Sequence, residues 1–129
     1  MTRAGPIIAV VDDEASVRRS LDRLLRAYGF RVQVFASADE FLERPVTMEP
    51  PACLIVDLRM AGKTGLDLVD TLRTRGVPIP VIMITGHGEE SMAERVEEAG
   101  ALEFLTKPVD GDVLVDAIAR ALNGRPRQD

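Results

Sequence analysis

Five short apolar runs punctuate the chain: IIAVV (7–11), VQVF (32–35), CLIV (53–56), VIMIT (81–85) and LEFLT (102–106). They are four or five residues long, rich in β-branched side chains and nearly without polar alternation. That pattern predicts strands covered on both faces. The stretches between them show helical spacing instead. Val17, Leu21, Leu24, Leu25 and Tyr28 share one face, closed by Gly29. Ser37 and Glu40 have capping-box spacing ahead of Phe41 and Leu42. Leu66, Val69 and Leu72 form a third face ended by Gly76 and Pro78, and Met92, Val96 and Ala99 a fourth stopped by Gly100. Val113, Leu114, Ala117, Ile118, Ala121 and Leu122 form the last, before Gly124 and Pro126. Five βα units in series predict one α/β domain: a parallel sheet with helices on both sides. We place it at residues 7–123, with an N-terminal extension at 1–6 and a tail or linker stub at 124–129. TMEPPA (47–52) reads as a loop.

Composition narrows the picture modestly. The 129 residues suit a single domain, and 46% hydrophobic content supports a core built on Val, Leu, Ile and Ala, since Trp is absent and Tyr occurs once. A net charge of -5 argues against nucleic acid as a direct partner, and Arg125 and Arg127 are too few to reverse that. The single cysteine, Cys53, excludes an intramolecular disulfide and reads as a small buried residue. No signal peptide or membrane-length apolar stretch is visible, so the expected location is the cytoplasm.

The chemistry concentrates at the strand ends. In a parallel α/β sheet, functional side chains gather past the carboxyl ends of the strands. Those positions hold Asp12 and Asp13 after the first strand, Asp57 at the end of the third, Thr85 and Gly86 at the fourth, and Lys107-Pro108 after the fifth. Three carboxylates in one crevice raise each other's pKa unless a cation sits among them. Mg2+ or Mn2+ fits, because hard cations take carboxylate oxygens and bring phosphate with them. An Asp carboxylate beside such an ion can act as a nucleophile toward phosphorus. Lys107 and Thr85 would then serve the phosphoryl oxygens, and Gly86 would leave room for the group.

VVDDEASVRRSL, LIVDLRMAGKTGLDL, VIMITGHG and GALEFLTKPV, in that order, resemble the receiver domain of bacterial two-component response regulators, over residues 7 to about 122. TGHG, SMA and EFLTKP are most similar to receivers of the FixJ type, which are commonly joined to a helix-turn-helix output domain; none is read within these 129 residues. The resemblance implies a flavodoxin-like fold with strand order 2-1-3-4-5. It implies that Asp57 accepts a phosphoryl group from a sensor histidine kinase, and that Asp12, Asp13, Asp57 and the backbone carbonyl of Arg59 bind the metal. Lys107 would contact the phosphoryl group, the Lys107–Pro108 bond would be cis, and Thr85 and Phe104 would form the switch. Arg59 and His87 occupy positions that modulate phosphoryl lifetime in the family. Signalling would run through the face of the fourth helix, fifth strand and fifth helix to an output domain or partner, with phosphorylation-promoted homodimerisation as a further implication. Ala61 and Val109 depart from the commonest family pattern, which has Pro and Phe there.

Other readings compete. Asp12 and Asp13 could cap the first helix, but capping leaves Asp57 unexplained. Lys107, Thr85, Phe104 and His87 each have an ordinary reading: a solvated lysine, a strand end, core and a solvated loop residue. A haloacid-dehalogenase-like phosphatase would carry a second Asp two residues after the nucleophile, where this chain has Arg59. A flavodoxin would need a Ser/Thr/Gly-rich phosphate loop where this chain has acids. A binding-only degenerate receiver is disfavoured because every chemical position is filled. The expectation is therefore a stoichiometric phospho-acceptor rather than a turnover enzyme. The cognate kinase and the regulated process are not written in the sequence.

Overall fold

The computed structural model describes residues 5–45, 47–60, 62–86, 93–101 and 103–123. The elements alternate as the hydrophobic pattern predicts: β1 (Ile7–Val11), α1 (Ala15–Ala27), β2 (Arg31–Phe35), α2 (Ala38–Leu42), β3 (Cys53–Asp57), α3 (Gly65–Thr74), β4 (Val81–Thr85), α4 (Ala93–Ala99), β5 (Glu103–Thr106) and α5 (Gly111–Leu122). All strand pairs are parallel and the sheet order is β2-β1-β3-β4-β5.

Successive strand residues face opposite sides of the sheet, so each buried strand feeds two cores. Ala9, Val11, Leu54, Val56 and Met83 turn toward Phe41 of α2, Leu68 and Leu72 of α3 and Val96 of α4. Ile8, Val10, Ile55, Ile82 and Ile84 turn the other way, toward Leu21 and Leu25 of α1 and Leu114 and Ile118 of α5. Every residue of β1, β3 and β4 is buried. The two edge strands are not: Val34 of β2 is exposed and β5 is only partly covered. Two-sided burial therefore holds for the centre of the sheet and fails at its edges, where no further strand covers the backbone. Cys53 lies in the core, and burial pushes its thiol up to about 12, which keeps it inert.

Helix ends follow local chemistry. Gly29 and Gly100 have positive φ (94° and 109°) and end α1 and α4, as their positions predict. The Ser37 side chain accepts from Glu40 N–H (3.0 Å), while the Glu40 carboxylate reaches back to Ala36 N–H rather than Ser37 N–H. Two caps were not visible in the apolar pattern: the Thr64–Asp67 capping box of α3 and Asp110 at the start of α5. The N-cap of α1 is Glu14, with no side-chain cap bond. The N-cap position is therefore held by neither Asp12 nor Asp13. Met92 and His87 lie outside the described residues, as do Ala61, Leu102, the first four residues and the tail from 124 onward.

One close approach positions the end of β3. A Cβ placed on Gly65 would meet Met83 Sδ at 2.6 Å and the Asp57 carbonyl at 2.7 Å. Only glycine lets α3 start this tightly against β3 and β4.

Candidate functional site

Register alone assembles the site. Val11 pairs with Val56, so the next residues, Asp12 and Asp57, emerge side by side. Ile84 pairs with Asp57 and Thr85 with Thr106, which brings Thr85 beside the acids and Lys107 just past them. The Lys107 N–H donates to the Thr85 carbonyl (2.7 Å), tying the ends of β4 and β5 together.

The two central carboxylates are held in the same way. Asp12 Oδ1 accepts from Glu14 N–H and Asp57 Oδ1 from Arg59 N–H, each at 2.9 Å. Each is an Asx turn that fixes one oxygen and leaves the other to face the crevice. The Lys107 ammonium sits there, 2.7 Å from Asp57 Oδ2, 3.6 Å from Asp12 Oδ2 and 3.5 Å from Glu14 Oε1. Asp12 and Asp57 are 3% and 5% exposed. Burial is the main cause that drives the Asp12 carboxyl up to about 6; the Glu14 N–H opposes it, Asp57 adds to it and Lys107 opposes it. Burial also works to lower the Lys107 ammonium, but its bond to Asp57 and the charges of Asp57, Asp12 and Glu14 together leave it above the ordinary lysine value.

Among the described residues, Asp12, Glu14 and Asp57 bring carboxylate oxygens within 4.8 Å of one another. Asp13 is exposed and stands outside that group. The reason is the Asx turn at Asp12, which folds residue i+2 back over the carboxylate and carries i+1 outward. Glu14 was legible in DDE only to a reader who expected that turn. A cluster of hard, negative oxygens around a buried carboxylate whose charged form is disfavoured has the donor chemistry of a Mg2+ or Mn2+ site.

The other predicted residues fall around this centre. Thr85 is fully buried, and its Oγ1 has no hydrogen-bond partner among the described residues. A Cβ added at Gly86 would meet nothing within 4 Å, so the space there is open. Phe104 is partly buried and packs on the core shared by α2, α3 and α4. The Lys107–Pro108 bond is cis. Val109 lines a groove of about 630 Å³ with Val17, Leu21, Ile84 and Pro108, opening beside Lys107.

The sequence profile of the "Response regulator receiver domain" family matches residues 8–119. Nodulation protein W of Bradyrhizobium diazoefficiens is 41% identical over 115 residues, 89% of this chain and 50% of that protein. Response regulator protein TodT of Pseudomonas putida is 39% identical over 128 residues, 99% of this chain and 56% of that protein. The chain thus spans about half the length of these curated relatives. The crystal structure of FixJ-N superposes with a TM-score of 0.86 at 36% identity, covering 98% of this chain and all of that one. Sheet order, strand-end chemistry and sequence similarity agree: the chain belongs to the response regulator receiver domain family.

Proposed function

We propose that this chain is the phospho-accepting receiver of a two-component relay, with Asp57 as the acceptor and a phosphohistidine of a sensor kinase as the donor. One observation carries the reading: a buried Asp57 carboxylate lies 2.7 Å from the Lys107 ammonium, beside a Thr85 hydroxyl with no partner among the described residues. An Asp57 oxygen attacks phosphorus, the new O–P bond forms as the N–P bond breaks, and the imidazole leaves with the electron pair and takes up a proton. When bound by Asp12, Asp57, the neighbouring Glu14 or Asp13 and the Arg59 carbonyl, Mg2+ or Mn2+ supplies positive charge that offsets the acids and the incoming phosphoryl oxygens. Lys107 moves its charge from the carboxylate to a phosphoryl oxygen. Thr85 gains its hydrogen-bond partner there, and Gly86 leaves that approach clear. These groups stabilise spread negative charge by position alone.

The readout follows from packing. Thr85 shifting toward the phosphoryl group vacates volume next to β5, and Phe104, packed on the adjoining core, turns inward to fill it. The face of α4, β5 and α5 is thereby remodelled for an output domain, a partner protein or a second copy. The groove beside Lys107 offers a kinase helix an apolar seat next to the acceptor. Some of the relatives are named transcriptional regulatory proteins, which favours transcriptional control as the regulated output. The domain acts stoichiometrically, loading and unloading its own aspartyl phosphate in the cytoplasm, with Arg59 and His87 setting the lifetime. No described helix is long and apolar enough to cross a membrane.

Incubation with acetyl phosphate, with and without Mg2+, tests the acceptor. Wild type is expected to be labelled only with the metal and Asp57→Asn not at all. Equal metal-dependent labelling of both proteins overturns the assignment.

A further inference from the structure

Asp12 is tethered at three points. Its N–H donates to the Phe35 carbonyl (3.1 Å), continuing the β1–β2 ladder past the strand. Its Oδ1 takes the Glu14 N–H. Its carbonyl oxygen accepts from Arg18 Nη1 at 2.6 Å, a bond that reaches back six residues from the end of the first turn of α1. The Arg18 N–H in turn donates to the Glu14 carbonyl (3.1 Å), opening the helix. Since Glu14 makes no side-chain cap bond, the Arg18 guanidinium ties the body of α1 to the loop that carries the acids.

We propose that Arg18 is a positioning residue for the cation site: by holding the Asp12 carbonyl it fixes the Asp12–Glu14 turn and sets both carboxylates against Asp57. This rests on the cation-site reading given above. The role is separable from simple charge, because the two effects have opposite signs. A permanent positive charge near the acids repels a divalent ion, so deleting it for electrostatic reasons alone would tighten binding. A bond that orders a ligand-bearing turn strengthens binding, and deleting it loosens the site; partners one bond behind a metal ligand typically change affinity by about tenfold or more.

The test is Mg2+ titration of the full 129-residue chain, followed by backbone amide resonances, for wild type, Arg18→Met and Arg18→Lys. Thermal unfolding in chelator is recorded in parallel. Arg18→Met is expected to bind Mg2+ about tenfold more weakly and to move the metal-free Glu14 amide resonance, with little change in the metal-free melting temperature. Arg18→Lys, which retains a donor and the charge, is expected to recover most of the affinity. Unchanged or tighter Mg2+ binding by Arg18→Met overturns the proposal. Should Arg18→Met not fold, Arg18→Gln takes its place: affinity falling in the order wild type, Lys, Gln supports the role, and equal affinities overturn it. A wild-type chain with no saturable Mg2+ response removes the cation-site reading, and the role of Arg18 with it.

Discussion

A hydroxyl sealed from water without a partner disfavours the folded state by about 1–3 kcal/mol, and that of Thr85, at the edge of the acid crevice, has none among the described residues. In the proposed mechanism the hydroxyl gains its partner only when the phosphoryl group is present. Thr85→Val keeps the shape and removes the oxygen. We expect its resting form to be as stable as wild type or more stable by about 1 kcal/mol in urea unfolding, while beryllofluoride no longer shifts the Phe104 ring resonances. A clear loss of stability would reveal that the hydroxyl already has a partner. Thr85, Asp57, Asp12 and Lys107 were legible in the sequence because each follows an apolar run, and strand ends converge in a parallel sheet. Glu14 and Arg18 were not. Glu14 enters the crevice through a turn set by the Asp12 side chain, and Arg18 stands on a helix face whose charged residues ordinarily meet only solvent.

At the level of elements, β3 ends where it does because α3 begins on Gly65. Gly65→Ala would force a methyl into Met83 Sδ and the Asp57 carbonyl, and overpacking of this kind costs about 1–3 kcal/mol. We expect that loss in chemical denaturation, together with slower labelling, since the acceptor strand must shift. A melting temperature equal to wild type would show that α3 can slide. On the other side of the sheet, buried Glu103 of β5 is bonded to Arg120 Nε of α5. Glu103 sits in a run that reads as apolar strand, and Arg120 gives its buried side chain a bonded partner. Removing a partner from a buried charge is strongly destabilising, but Arg120 is itself one-third exposed and water can enter. Arg120→Ala should therefore lose about 1–2 kcal/mol, and Arg120→Lys less; no change would mean that Glu103 is paired elsewhere. The apolar pattern predicts two-sided burial of every strand, and at this edge it stops reporting on neighbours.

For the molecule as a whole, the acid crevice opposes folding unless something offsets it. Asp12 rises from the ordinary aspartate value of about 3.9 to about 6, so the folded state binds its proton more tightly than the unfolded chain. Its contribution is fully present below the unfolded value and is lost as pH rises through about 6. Asp12→Asn should therefore exceed wild type in metal-free stability by about 1–3 kcal/mol at neutral pH, with the advantage shrinking toward pH 4. Added Mg2+ should raise the melting temperature of wild type more than that of the variant. An advantage that grows on acidification would contradict this. The parallel sheet covered on both faces and the gathering of acid, hydroxyl and ammonium on one edge were readable from the hydrophobic pattern, because parallel βα units permit few other arrangements; the strand order was implied by the family resemblance instead.

The most direct measurement traps the covalent state itself. After reaction with acetyl phosphate and Mg2+, borohydride reduces an aspartyl phosphate to homoserine, and peptide mass spectrometry locates the residue. Homoserine at position 57 is the result this account predicts. Homoserine at position 12 or 13, reduction at Glu14, or a chain left unreduced after stoichiometric labelling would contradict it.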